Sequence, residues 1–387
     1  MHIFSKTVLF FFVLFLINGC KSNTTVSYEL AQNDKEFQEY PTNIILLIGD
    51  GMGLTQISAA IYSNNNRLAL AKFPVIGFHK SHAANELITD SAAGGTAIAC
   101  GIKTNNGNIG TDENGLPTIS ILEELDSMNF STGMIVTSTI VHATPAAFAA
   151  HQSRREMYEE IALDYLDANI DLLIGGGRQY FQNREMDDRD LTNEFENKGY
   201  LVMDQLYTTM NKIKWPIDKN LLYFTADKQP LTVSGGRNYL SFAVRQGVQY
   251  LEQKSNKGFF LLVEGSQIDW MNHANDGRGV VMETLDFDRA IWEAIQYANR
   301  QGNTLVLVTA DHESGGMSIE ADSRMNKLKY GFTTNGHTAA MIPVFAYGPG
   351  STLFRGIYEN TSIYHKMRAA LGLKERINPL SPNPSSE

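Results

Sequence analysis

Residues 43–50 read NIILLIGD, five apolar residues in a row followed by glycine and aspartate. A run this short suits a strand better than a helix, and an apolar side chain at every position leaves neither face for water. Strands buried on both faces belong to parallel sheets covered by helices on each side. The same reading fits GMIVTST (133–139), DLLIGGG (171–177), GFFLLVEG (258–265), NTLVLVTADH (303–312) and MIPVFAYGPG (341–350). Amphipathic stretches lie between them: LPTISILEELDSMN (116–129), REMYEEIALDYLDAN (155–169), SFAVRQGVQYLEQKS (241–255) and METLDFDRAIWEAIQYANRQ (282–301). The alternation predicts an α/β fold, a doubly wound and mostly parallel sheet with helices on both faces.

Ligands of such sheets bind beyond the carboxyl ends of the strands. Three of the apolar runs deliver a carboxylate there: Asp50, Glu264 and Asp311, the last with His312 beside it. One such aspartate would read as a turn former or helix cap. Three at one sheet edge repel each other unless a cation lies between them. Past Glu264 the chain runs EGSQIDWMNHAND, which sets Asp269 and His273 four residues apart, on one side of a helical turn. Of nine histidines, His142, His151, His273, His312 and His337 fall near strand ends or glycine-containing loops, while His79 and His82 read as structural. Carboxylates and imidazoles without thiolates favour Zn²⁺ or Mn²⁺, and an all-oxygen set favours Mg²⁺.

Residues 89–97 read TDSAAGGTA, with Ser91 followed by six small residues. This stretch is a flexible loop, a tightly packed helix, or a nucleophile at a helix start. In the last case Ala92, Ala93, Gly94 and Gly95 would leave room for an anion at the helix N-terminus, with Asp90 and Thr96 as local braces.

The chain has 387 residues, 43% hydrophobic, with a formal net charge of −10. That supports a large core and excludes the basic footprint of a nucleic-acid binder. Residues 1–19 read as a signal peptide, with Lys6 before an apolar run from Val8 to Ile17 that is too short to span a membrane. The run ends in LINGC, which resembles a bacterial lipobox. Cys20 would then carry lipid and anchor an exported protein at the periplasmic or cell-surface side of a membrane, the alternative being an ordinary signal with a chance cysteine. Residues 20–41 read as a polar tether and 42–372 as one domain. Within it, 178–235 reads as a lobe or insertion attached to the sheet, and 314–336 as a loop bordering the site. Residues 373–387 read as a disordered tail. With Cys20 committed, Cys100 stands alone in an apolar context and no intrachain disulfide is expected.

Six motifs occur in order: GDGMG with Asp50, TDSAAGGTA with Ser91, HATPAAFAAHQSRR, EGSQIDWMNH, TADHESGG and NGHTAAMIPVFAYGPG. Together they resemble the alkaline phosphatase family over residues 42–370, nearly the whole mature chain. The resemblance implies an enzyme that hydrolyses phosphate monoesters of broad range to an alcohol and phosphate through a phosphoseryl intermediate, using two Zn and one Mg. It implies that Asp269, His273 and His337 hold the first zinc and that Asp50, Ser91, Asp311 and His312 hold the second. Asp50 would also reach the third cation, with Thr144 and Glu264. Arg155 would bind phosphate, with Arg154 as the alternative, and the enzyme would be a homodimer. The best-known bacterial member has aspartate where His142 stands and lysine where Trp270 stands, positions around the third cation and the phosphate. Animal members and some marine bacterial ones resemble this chain there, with His at the first position and His or Trp at the second. Sulfatase chemistry lacks its C-x-P-x-R stretch here, diesterases commonly replace the arginine, and a catalytically dead zinc scavenger or structural surface protein would have lost Ser91, Arg155 or a ligand.

Overall fold

The computed structural model describes residues 28–30 and 37–374. The expected signal peptide, Cys20, most of the tether and the tail from residue 375 lie outside the described residues. In chain order the strands are β1 (Asn43–Ile48), β2 (Val75–Lys80), β3 (Ser131–Thr139), β4 (Leu172–Gly176), β5 (Tyr200–Asp204), β6 (Asn220–Ala226), β7 (Phe259–Glu264), β8 (Thr304–Thr309), β9 (Glu313–Ser314), β10 (Met317–Ile319), β11 (Tyr330–Phe332), β12 (His337–Thr338), β13 (Ile342–Tyr347) and β14 (Gly356–Glu359). The α-helices are α1 (Leu54–Ser63), α2 (Ser91–Cys100), α3 (Ile121–Ser127), α4 (Ala143–Ala146), α5 (Tyr158–Asp167), α6 (Gln179–Gln182), α7 (Leu191–Asn197), α8 (Leu240–Lys254), α9 (Gln267–His273), α10 (Gly277–Gln301) and α11 (Thr361–Ala370).

One ten-stranded sheet runs in the order β14-β2-β13-β8-β1-β7-β3-β4-β6-β5. Its pairings are parallel except at β13, which is antiparallel to both β2 and β8. Alternate side chains of β1 enter opposite layers. Ile45 and Leu47 pack with Val244 and Leu251 of α8 and Ile291 and Ile295 of α10. Ile44, Leu46 and Ile48 pack with Ile98 of α2, Leu122 of α3, Tyr165 of α5 and Met367 of α11. This two-sided burial is what the unbroken apolar run requires, at about 1.5–3 kcal/mol per large side chain taken from water. Residues 178–235 enter the sheet itself: β5 and β6 are its last two strands, with α6 and α7 beside them.

The helices begin and end on local signals. Asp276 caps α10 by accepting from the N–H groups of Arg278 and Gly279, and Gly302 closes the helix in the left-handed region. Ser120 and Glu123 form a capping box on α3. The register of the central strands sets the site. Ile48 at the end of β1 lies opposite Glu264 of β7 and Thr309 of β8, and Val136 of β3 also lies opposite Glu264. The three neighbouring strands β8, β1 and β7 therefore finish at one level, β3 runs three residues further, and the following turns share one edge of the sheet.

Candidate active site

Asp50 stands two residues beyond β1. The turn is held by Gly49 N–H donating to Thr309 O and Gly51 N–H donating to Asp311 Oδ1 at 3.3 Å. Ser91, the first residue of α2, places Oγ 3.4 Å from Asp50 Oδ2 and 3.2 Å from His312 Nε2. His312 Nε2 is 3.2 Å from Asp311 Oδ2 and 3.4 Å from Asp50 Oδ1. On α9 the four-residue spacing brings His273 Nε2 to 3.1 Å from Asp269 Oδ2. His337 Nε2 lies 3.2 Å from His273 Nε2 and 3.7 Å from Asp269 Oδ1, while its Nδ1 faces Thr89 O at 2.8 Å. A third group joins Asp50, Glu264 and His142, with Thr144 on α4 close enough to Glu264 to influence its ionisation. Within each of the three sets, Asp269/His273/His337, Asp50/Asp311/His312 and Asp50/His142/Glu264, ligand atoms lie within 4.8 Å of one another.

Burial holds Asp50 well above the carboxylate range, and the charges of Asp311, Asp269 and Glu264 push it further. Burial likewise raises Glu264 to about 8. Asp269 goes the other way: burial opposes its ionisation, but the hydrogen bond with His273 and the imidazoles of His312 and His337 hold it low. His273 rises to about 9, chiefly through its bond to Asp269. Burial keeps His312 at about 4 and His142 at about 3, so both are neutral and present a lone pair at physiological pH. Asp50 Oδ1, Asp311 Oδ2, Glu264 Oε1, Thr144 Oγ1 and His142 Nδ1 are buried without a hydrogen bond. Each such orphan costs about 1–3 kcal/mol. Carboxylates, neutral imidazoles and a hydroxyl converging this way fit bound cations.

Arg155 approaches from beyond α4. Its Nη1 donates to Asp90 Oδ2 at 3.0 Å, and its charge reaches Asp50, His142 and His273. Arg154 is exposed. Asp90 caps α2 by accepting from Ala93 N–H and also accepts from Gly107 N–H. Trp270 sits edge-on to His142, ring centroids 6.1 Å apart. His151 is a brace between Gly110 O and Glu123, and His79 bonds Ala310 O. The two glycines after Ser91 make room for protein. A Cβ on Gly94 would lie 3.1 Å from Asp311 O, and one on Gly95 would lie 3.3 Å from Ala147 Cβ and 3.4 Å from Thr144 Cα. Their smallness lets α2 press on the two elements that carry Asp311 and Thr144, which corrects the expectation that they clear space for an anion.

The sequence reading missed a supporting layer. Ser138 Oγ donates to Glu264 Oε2, and Ser266 Oγ donates to Ser138 Oγ. Gln267, fully buried, donates through Nε2 to the carbonyls of Thr137, Pro230 and Leu231 and so pins the start of α9. Buried Gln56 and Ser314 join α1, α9 and β9. Ser314 carried a legible signal: it lies two residues past His312 in an extended segment, hence on the same side.

A mostly parallel sheet with three carboxylate–imidazole sets at its strand ends, beside a serine that opens a helix and an arginine, defines a metal-dependent α/β hydrolase. The alkaline phosphatase family profile matches residues 41–330 and 317–373. Alkaline phosphatase 4 of Bacillus subtilis is 34% identical, covering 86% of this chain and 89% of its own length. The structure of alkaline phosphatase from the Antarctic bacterium TAB5 superposes with a TM-score of 0.82 at 39% identity, covering 87% of this chain and 99% of that one. A variant of the TAB5 enzyme with one histidine replaced by aspartate was solved with Mg bound in its M3 site (TM-score 0.81, 39% identity, 87% and 99% coverage). The chain belongs to the alkaline phosphatase family, and its activity is hydrolysis of phosphate monoesters.

Proposed function

We propose that this enzyme transfers the phosphoryl group of a monoester first to Ser91 and then to water. The observation that carries this is Ser91 Oγ lying 3.4 Å from Asp50 and 3.2 Å from His312, inside a set of buried carboxylate and imidazole atoms. Asp269, His273 and His337 would hold one zinc, Asp50, Ser91, Asp311 and His312 a second, and Asp50, Thr144 and Glu264 a magnesium. When bound, such cations neutralise phosphate charge and lower the pKa of hydroxyl groups near them. Ser91 Oγ attacks phosphorus in line, the ester P–O bond breaks, and the alcohol leaves. Water then attacks the phosphoserine, restores Ser91 and releases phosphate, so two inversions give net retention at phosphorus. Arg155 is poised to hold two non-bridging oxygens through its planar fork, and its ion pair with Asp90, the residue before Ser91, holds the guanidinium beside the start of α2.

His142 adds a nitrogen to the third set, a donor that favours zinc over magnesium. The TAB5 variant in which aspartate replaced one histidine was solved with magnesium bound in its M3 site, which is in keeping with a histidine-to-carboxylate choice bearing on the third cation. The lipobox-like LINGC supports a membrane-anchored, exported lipoprotein, and family resemblance supports a homodimer. The test is metal content and p-nitrophenyl phosphate hydrolysis by protein lacking residues 1–20, with EDTA removal and zinc and magnesium return. Zinc-restored alkaline turnover is expected. A folded, zinc-loaded protein that spares this substrate but cleaves bis-p-nitrophenyl phosphate would reassign it as a diesterase.

A further inference from the structure

We infer that Ser314 is a positioning residue whose hydroxyl ties the carboxylate of the first zinc set, Asp269, to the imidazole of the second, His312. The inference rests on the proposed zinc reading. Ser314 Oγ donates to Asp269 Oδ1 and lies 3.3 Å from His312 Nδ1. An ionised carboxylate only accepts, and a hydroxyl has one proton. The Ser314 O–H is therefore spent on Asp269, and its oxygen can only accept from His312. That fixes His312 as the tautomer protonated at Nδ1, leaving the Nε2 lone pair facing Ser91, Asp50 and Asp311 at 3.2–3.4 Å. The same bond leaves Asp269 Oδ2 to face His273.

The backbone of Ser314 is tied to the other ligands too. It pairs with His337 between β9 and β12. Its N–H donates to Gly51 O at 3.2 Å, within the turn that carries Asp50. Its carbonyl accepts from Gln56 Nε2 at 2.8 Å, and that amide also donates to Asn272 Oδ1 on α9 and to Glu313 Oε1. Gly51 takes φ +68°, and a Cβ there would fall 2.7 Å from Ser314 Oγ and 2.9 Å from Asp269 Oδ1. The glycine of this turn is thus required by the hydroxyl bridge as well as by its backbone angle.

A hydroxyl with this role acts on both zinc sites at once, whereas a merely structural one acts on folding alone. The test is Ser314→Ala in protein lacking residues 1–20, titrated with zinc against a chromophoric chelator beside the unmutated protein. Ser131→Ala, which removes a buried hydroxyl bonded to Leu251 O at the far end of β3, is the control. Outer-sphere partners typically change metal affinity about 10–100-fold, so both zinc affinities should fall by about that factor in Ser314→Ala and stay level in Ser131→Ala. The EDTA-stripped Ser314→Ala should melt within about 3 °C of the stripped parent. Unchanged zinc affinities, weakening confined to one site, or a stripped variant that no longer folds would each overturn the inference. An unmutated protein that binds no zinc would instead overturn the zinc reading itself.

Discussion

Removing the cations should give the protein a pH dependence of stability that the loaded enzyme lacks. Glu264 is fully buried, and its folded pKa is about 8 against an ordinary 4.5. A carboxyl raised in this way contributes stability fully below pH 4.5 and loses it as pH rises through 8. Asp50 is raised in the same direction by burial and by Asp311. His273, raised to about 9 chiefly by its bond to Asp269, also loses stability as pH climbs. His142 and His312 are depressed by burial, so their contribution is complete above 6.5 and disappears only as pH falls toward 4 and below. Above pH 6.5 the groups that still matter, Glu264, Asp50 and His273, therefore act in one direction. From pH 6.5 to beyond 8, Glu264 alone accounts for roughly 1.5 pKa units, or about 2 kcal/mol. At roughly 1 °C or slightly more per kcal/mol for a chain of this size, that is a fall of about 2–3 °C from Glu264, to which Asp50 and His273 add. The assay is differential scanning calorimetry of EDTA-stripped and zinc/magnesium-loaded protein between pH 6.5 and 9. In the loaded protein, cations hold the carboxylates ionised and Tm should stay nearly level. A stripped protein whose Tm stays level or rises, or a loaded one that falls as steeply, would refute the reasoning.

Other outcomes follow from the same geometry. Ser91→Ala should cut kcat by roughly 10³-fold or more while zinc content, read by elemental analysis, stays close to normal. Arg155→Ala should lower kcat/KM by about 100-fold, the scale of two charge-assisted hydrogen bonds, while Arg154→Ala should change it less than about twofold. Gly95→Ala adds a methyl 3.3 Å from Ala147 Cβ and 3.4 Å from Thr144 Cα. A gain of about 1 kcal/mol in helix propensity should be offset by about 1–3 kcal/mol of overpacking, visible as an unchanged or lower Tm with weaker magnesium stimulation. Trp270→Lys places a cation beside the phosphate site and should lower the inhibition constant for inorganic phosphate, measured by competition.

The middle of the sheet was legible because its strands are buried along their whole length and mostly apolar. β1, β7 and β8 have no exposed residue, and the run lengths alone mark them as strands. β2 was missed for the opposite reason: VIGFHK alternates buried and exposed residues and includes a buried histidine, so it lacks an unbroken apolar run. β5 and β6 were hidden inside a charged segment, and β14 begins with exposed residues at the sheet edge. The reversed direction of β13 has no mark in its composition, because burial is indifferent to chain direction. In the site, Asp50, Glu264 and Asp311 were readable as strand-end carboxylates, and Asp269 with His273 as a helical pair. Ser91, Thr144, Arg155 and His337 needed the resemblance, because no local pattern shows which loops meet. Gln56 and Gln267 sit on helices as ordinary polar residues, and only the packing of α1 and α9 reveals that they are buried and shared.

The most direct test of the account is to quench the zinc-loaded enzyme with acid during turnover of p-nitrophenyl phosphate and map its peptides by mass spectrometry. The account predicts a phosphoryl group on the peptide carrying Ser91, on that residue, and none in Ser91→Ala. Full turnover with no phosphorylated peptide, or with the phosphoryl group on another residue, would contradict it.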